Sequence, residues 1–208
     1  MPKVSYIVSA YNRPAMLKCC LASLSVQTDR DFEVIVADNS TDFDTARAQS
    51  EIVADFRDPR FRHIDTDCVK TCAGWDCYHS AEYAAALSTG NWLCFPSDDS
   101  YYVPLFQEAM MAAASEHEWD LVYCDWLCDR RGHVPDVGPG SYHCVSADAC
   151  MSKIDKTGFM VRRGWFNGFP GKKMLDPGPA PCDGMLIDGL VGRGIKHGKV
   201  KEILMVHN

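Results

Sequence analysis

Up to Cys124 the chain alternates short apolar runs with stretches whose apolar residues recur at helical spacing. Lys3–Ala10 (KVSYIVSA) and Phe32–Ala37 (FEVIVA) read as strands. Between them Asn12 can cap a helix, Pro14 suits its first turn, and Leu17, Cys20, Leu21 and Leu24 fall on one face. The pattern predicts a helix through Thr45–Phe56, a short strand around Phe61–Ile64, and a helix over Trp75–Leu87 stopped by Gly90. A strand at Trp92–Pro96, a helix over Val103–Glu118 and a strand at Leu121–Cys124 follow. Parallel neighbours need a crossover and a helix supplies it, so this rhythm calls for a mostly parallel sheet with helices on both faces. After Asp125 it breaks. Residues 129–148 and 168–184 are rich in Gly and Pro, with a strand at Gly158–Arg162, a helix at Asp183–Val191 and a last strand at Val200–Val206. No linker divides the 208 residues, so they form a single domain with a regular first part (about 1–125) and a looser second part (about 126–208).

Within the regular part, Leu93-Cys94-Phe95-Pro96-Ser97-Asp98-Asp99-Ser100 carries the chemistry. An apolar run delivers two adjacent carboxylates to a strand end, the edge at which open α/β sheets bind ligands. Like charges so close repel unless something positive lies between them, and a divalent cation shared with a diphosphate answers that need. The ends of the first two strands reach the same edge. There Tyr11 can stack on a flat base, and Asp38 can accept hydrogen bonds from a base or a ribose. Each alone has a plain structural alternative, Asn12 as a cap and Asp38 as a turn former; three such strand ends together favour nucleotide binding.

Composition limits the alternatives. An apolar content of 47% excludes wholesale disorder, and a net charge of −7 argues against a dedicated nucleic-acid binder. No secretory leader is visible and no apolar stretch approaches the ~20 residues of a membrane span, which points to the cytoplasm or the cytoplasmic face of a membrane. Eleven cysteines are many, yet Cys19, Cys20, Cys94 and Cys124 lie in apolar segments, as reduced thiols would.

Val4–Pro14 (VSYIVSAYNRP), Ser23–Ser40 (SLSVQTDRDFEVIVADNS) and Gly90–Pro104 (GNWLCFPSDDSYYVP) together resemble, in order and spacing, the opening of a family 2 glycosyltransferase with the GT-A fold. The second half matches more loosely, through Lys156–Phe169, Cys182–Leu190 and the terminal Val206-His207-Asn208. The resemblance implies a Rossmann-like GT-A sheet whose first half holds a nucleotide sugar and whose second half faces the acceptor. It also implies a Mn²⁺- or Mg²⁺-dependent transfer from a nucleoside-diphosphate sugar, a UDP-sugar first, to a hydroxyl of a sugar, glycan or lipid-linked acceptor. Inversion by single displacement and peripheral membrane association are compatible with it. By the same resemblance Ala10, Tyr11, Arg13 and Asp38 line the nucleotide pocket, Asp98 faces the ribose or sugar, and Asp99 binds the metal with His207 completing its shell. The first carboxylate of the family's Asp-x-Asp signature is Ser97 here, one charge fewer. Asp183 falls at the family's catalytic-base position, with Asp188 as the fallback; its plain alternative is a helix N-cap. An exposed terminal histidine is the corresponding alternative for His207.

Other features carry less. Arg162 and Arg163 are phosphate candidates or solvated strand-end charges, and Trp75, Trp165 and Phe166 are sugar-stacking candidates or core. Asp65-Thr66-Asp67 reads as a turn, and Cys68, Cys72, Cys77 and His79 lack paired CxxC spacing for zinc. Two rival functions are a nucleotidyltransferase, disfavoured because Ser9–Pro14 has no glycine to cradle a triphosphate, and a sugar-nucleotide binder without turnover, favoured by Ser97.

Overall fold

The computed structural model describes residues 3–66, 76–129, 142–150, 153–170 and 182–208. Along the chain run β1 (Val4–Ala10), α1 (Pro14–Ser25), β2 (Phe32–Asp38), α2 (Phe43–Asp55), β3 (Phe61–Asp65), α3 (Asp76–Ala86), β4 (Trp92–Cys94), β5 (Ser100–Tyr102), α4 (Phe106–Glu116), β6 (Leu121–Asp129), β7 (Tyr142–Val145), β8 (Phe159–Arg162), α5 (Cys182–Gly192) and β9 (His197–His207). The strands form one sheet in the order β3-β2-β1-β4-β8-β6-β9-β5, with β7 pairing on β6. β3, β2, β1 and β4 are parallel throughout, as the strand–helix rhythm predicted. Beyond β4 the sheet turns mixed. β8 lies antiparallel between β4 and β6, β9 runs parallel to β6 through register shifts at Asp125, and β5 closes the far edge antiparallel to β9.

β1 is buried along its whole length, as expected of a strand covered on both sides. Its Tyr6 hydroxyl meets Gln107 of α4 at 3.1 Å, and its ring packs edge-on against Phe32. Ser5 reaches the other face, where α3 lies. α1 buries Leu17, Cys20, Leu21 and Leu24, the stripe read from its spacing, and Met16 beside it. Its N-cap, however, is Arg13, without a side-chain cap bond, while Asn12 adopts φ +52° and spends its amide on Thr41 at 3.0 Å. Asn tolerates that left-handed turn better than most residues, and the turn swings Arg13 back over the sheet edge. Ser100–Tyr102 is a strand and a turn separates it from α4, so the helix begins at Phe106 rather than Val103. Trp75, Asp67, Cys68, Cys72 and the Cys77 side chain lie outside the described residues.

A polar knot ties α3 to the sheet. Glu33 Oε1 accepts from Ser5 Oγ at 2.8 Å, Thr89 N at 2.6 Å and Gly90 N at 3.2 Å. Burial pushes the Glu33 carboxyl up, but the Thr89 N–H, the Ser5 and Thr89 hydroxyls and Arg62 outweigh it and hold it below the usual carboxylate range. Arg163 closes the knot, donating to Gly90 O at 2.6 Å, Ser88 Oγ at 2.7 Å and Ala85 O at 3.0 Å. Its guanidinium is therefore a structural clamp between β8 and the turn after α3. Arg162 is engaged too, pairing with Asp120 and lying 4.9 Å from the Trp92 ring centroid. A Cβ on Gly90 would stand 2.5 Å from Ser5 Oγ and 2.7–2.8 Å from the backbone of Ser5 and Val4, which no side-chain rotation relieves. Gly90→Ala is therefore expected to lower stability by about 2 kcal/mol or more, read as an earlier urea midpoint at unchanged slope.

Candidate functional site at the carboxyl edge of the sheet

The parallel register aligns Ala10 with Asp38, so the ends of β1 and β2 are neighbours. Beyond β4 the chain stays beside β1: Ser9 N donates to Pro96 O at 2.9 Å, Asp98 N donates to Ser9 O at 3.0 Å, and Ser9 pairs with Ser97. Backbone bonding alone thus gathers the three strand ends singled out in the sequence.

Asp98 and Asp99 are 0% and 1% exposed. Two carboxylates buried side by side demand countercharge, and Arg13 supplies it. One guanidinium nitrogen pairs with Asp98 and the other lies 2.6 Å from Asp99 Oδ2. Tyr11 N adds a 2.9 Å bond to Asp98 Oδ2. Burial nevertheless dominates at Asp98. Together with the Asp99 charge it outweighs Arg13 and the Tyr11 N–H, and the carboxyl is pushed up to about 6.

Asp38 is 2% exposed and already well partnered. Its Oδ1 accepts from Ser40 N at 2.8 Å and Gln49 Nε2 at 3.2 Å, and its Oδ2 lies 2.9 Å from His63 Nε2. Burial raises its pKa, but these bonds, His63 first, bring it below the usual carboxylate range. The Tyr11 side chain is 47% exposed at the mouth of the same crevice, free to meet a planar ligand. His63 and Gln49 were not singled out from sequence, where a polar residue in an edge strand and one in an amphipathic helix are unremarkable.

His207 reaches this edge because β5 and β9 pair antiparallel with Ser100 opposite His207. Its Nδ1 stands 3.2 Å from Ser100 Oγ and 3.8 Å from Asp99 Oδ1. Carboxylate oxygens with one imidazole suit Mn²⁺ or Mg²⁺. No set of three or more His, Cys, Asp or Glu side chains gathers as a metal cluster among the described residues. Asp99 and His207 fit instead the kind of site in which one or two protein ligands are completed by substrate phosphates and water.

Asp183 stands in the first turn of α5. Its Oδ2 accepts from Lys156 N at 3.2 Å. Burial, reinforced by the charge of Asp155, raises its carboxyl above the usual range. Asp188 is exposed farther along the helix. Lys156, which the sequence reading passed over, is 9% exposed and sends its ammonium to Ser9 Oγ at 3.2 Å, which links the Asp183 region to the end of β1. Trp165 bonds Asp120 at 3.1 Å, and Phe166 packs 4.9 Å from the Phe95 ring; both belong to the scaffold rather than to a stacking surface.

Asp98 gives a test of this electrostatic balance. A carboxyl raised in the folded state favours folding as the protein takes up the proton, so its contribution grows as pH falls through about 6 and is lost as pH rises through it. Without added metal, wild type is expected to gain about 1 kcal/mol relative to Asp98→Asn between pH 7 and pH 5, measured from urea midpoints.

The chain has counterparts among known proteins. The chain aligns at 32% identity over 126 residues with the PGL/p-HBAD biosynthesis glycosyltransferase of Mycobacterium bovis, covering 60% of this chain and 46% of that protein. It thus spans about half the length of this relative. S. aureus TarS 1-349 in complex with UDP-GlcNAc superposes with TM-score 0.69 at 16% identity, over 98% of this chain and 58% of that one. The mannosyltransferase PcManGT from Pyrobaculum calidifontis, in complex with GDP-Man and Mn²⁺, gives TM-score 0.71 at 16% identity, over 99% and 56%. At such identities these two likenesses establish the shared α/β fold. The family model for glycosyl transferase family 2 matches residues 5–138, more than half of the 208, and the chain therefore belongs to glycosyl transferase family 2.

Proposed function

We propose that this chain transfers a sugar from a nucleoside-diphosphate sugar, a UDP-sugar first, to an acceptor hydroxyl by a single inverting displacement. The observation that supports this most strongly is the meeting of Asp98, Asp99 and His207 at the edge that also carries Asp38 and Tyr11. In this reading Tyr11 stacks on the base, while Ala10, Arg13 and Asp38 shape the nucleotide pocket. Asp38 does so from within, since its oxygens are already engaged by Ser40, Gln49 and His63. Asp98 faces the ribose or sugar. Asp99 and His207 would hold Mn²⁺ or Mg²⁺, whose chemistry is to offset negative charge on a departing diphosphate.

Asp183 acts as general base on the acceptor hydroxyl. A carboxylate with a raised pKa is the better proton acceptor, and burial gives it that property. The acceptor class, a sugar, glycan or lipid-linked hydroxyl, follows from the family resemblance. Among the described residues no helix is long and apolar enough to cross a membrane. Buried thiols at Cys20, Cys94 and Cys124 are in keeping with a reducing, cytoplasmic setting.

Calorimetric titration with UDP and GDP, with and without Mn²⁺, is expected to reveal metal-dependent binding of one nucleotide, weakened at least about tenfold in Asp99→Ala. Binding of neither nucleotide under any metal condition would overturn the donor site. Asp183→Asn should lower turnover by about 10²-fold or more while donor affinity stays close to wild type. Anomer-resolved NMR of the product is the check on stereochemistry, and retention of configuration would remove the base role of Asp183.

A further inference from the structure

Lys156 opens the short 3-10 turn that precedes β8 and is buried despite its charge. Its ammonium has two partners, Ser9 Oγ at 3.2 Å and the Tyr78 ring, whose centroid is 5.8 Å away. Among the described residues no carboxylate lies within ion-pair distance of it. A hydroxyl and a ring face 5.8 Å away replace only part of the hydration that a buried ammonium gives up, so the environment is suited to receiving an anion.

The position of this cation identifies the anion. Ser9 pairs with Ser97, and paired residues on neighbouring strands project to the same face, so Ser97 shares the face on which the ammonium sits. Ser97 stands where the resembling family carries the first carboxylate of its acidic signature. An aspartate there would add a carboxylate to the face that holds the Lys156 ammonium; a serine adds none and leaves the charge for a ligand. The other end of the same residue holds Asp183 through its backbone N–H. Lys156 therefore spans from the donor edge to the group read above as the base, which attends the anomeric carbon and not the phosphates. In the reading above a diphosphate would be met by the metal that Asp99 and His207 hold, while Arg13 is engaged with Asp98 and Asp99.

We propose that Lys156 binds a carboxylate carried by the sugar of the donor, so that the preferred substrates are nucleotide hexuronates. The inference rests on the donor-site reading above and extends it to the sugar.

The test is calorimetric titration of the full chain with Mn²⁺ against UDP, UDP-glucose and UDP-glucuronate, with the guanosine counterparts if GDP is the better ligand. Wild type is expected to bind the glucuronate at least about tenfold more tightly than the glucose donor, the worth of one charge-assisted contact. Lys156→Met should abolish that preference while leaving UDP affinity within about threefold, and Lys156→Arg should retain part of it. Ser97→Asp, which leaves Lys156 in place, should also abolish it by pairing with the ammonium. A wild type that does not distinguish the two sugars overturns the proposal, and this result needs no variant to fold. Equal weakening of UDP and both sugars in Lys156→Met would make the lysine a diphosphate contact and likewise overturn it. Failure of wild type to bind any of the nucleotides would overturn the donor site itself, and the sugar preference with it.

Discussion

Two carboxylates buried next to each other at the end of a strand are the most demanding feature of this molecule. Neither has water to solvate it, and each raises the cost of charging the other. The surroundings answer that demand. Asn12 turns the chain so that Arg13 reaches both carboxylates, the Tyr11 N–H is directed at Asp98, and the pairing of β5 with β9 brings His207 to Asp99. That burial still pushes the Asp98 carboxyl up to about 6 shows that this countercharge does not fully offset the loss of water.

The scaffold that imposes this arrangement is the parallel pairing of β1 with β2 and β4. It aligns Ala10 with Asp38 and Ser9 with Ser97, so the crevice is set by backbone hydrogen bonds rather than by side-chain preferences. The Ser5–Glu33–Gly90–Arg163 knot holds the opposite end of the same strands against α3. Candidate site and knot lie at the two ends of β1, so the carboxyl edge is polar while the strand itself is buried.

The second half of the chain supplies contacts that the first half cannot make for itself. Lys156 and Asp183 are joined through a main-chain hydrogen bond, and Lys156 in turn reaches β1. The two halves therefore meet at the carboxyl edge of the sheet. The antiparallel strand β8, lodged between β4 and β6, is the structural reason: it carries the Lys156 turn into the middle of the sheet.

By itself the sequence determined the alternation of the first 125 residues, the buried stripe of α1, and the placement of Asp38 at a strand end. These rest on period and local burial, which a linear pattern records directly. β4 stops at Cys94 rather than Pro96, and Asp98 and Asp99 lie in the turn beyond the Ser9–Ser97 bridge. The sequence did not reveal β5, because three residues beside a helix carry no periodicity of their own. Nor did it reveal that Arg13 rather than Asn12 ends the loop before α1, or that His63 and Gln49 brace Asp38. Nor did it reveal the burial of Lys156 beside Ser9. The meeting of Asp99 with His207, and of Lys156 with Ser9, joins residues more than a hundred positions apart. Only the tertiary structure decides such contacts, since they depend on the register of distant strands, a long-range hydrogen-bonding property with no trace in local sequence.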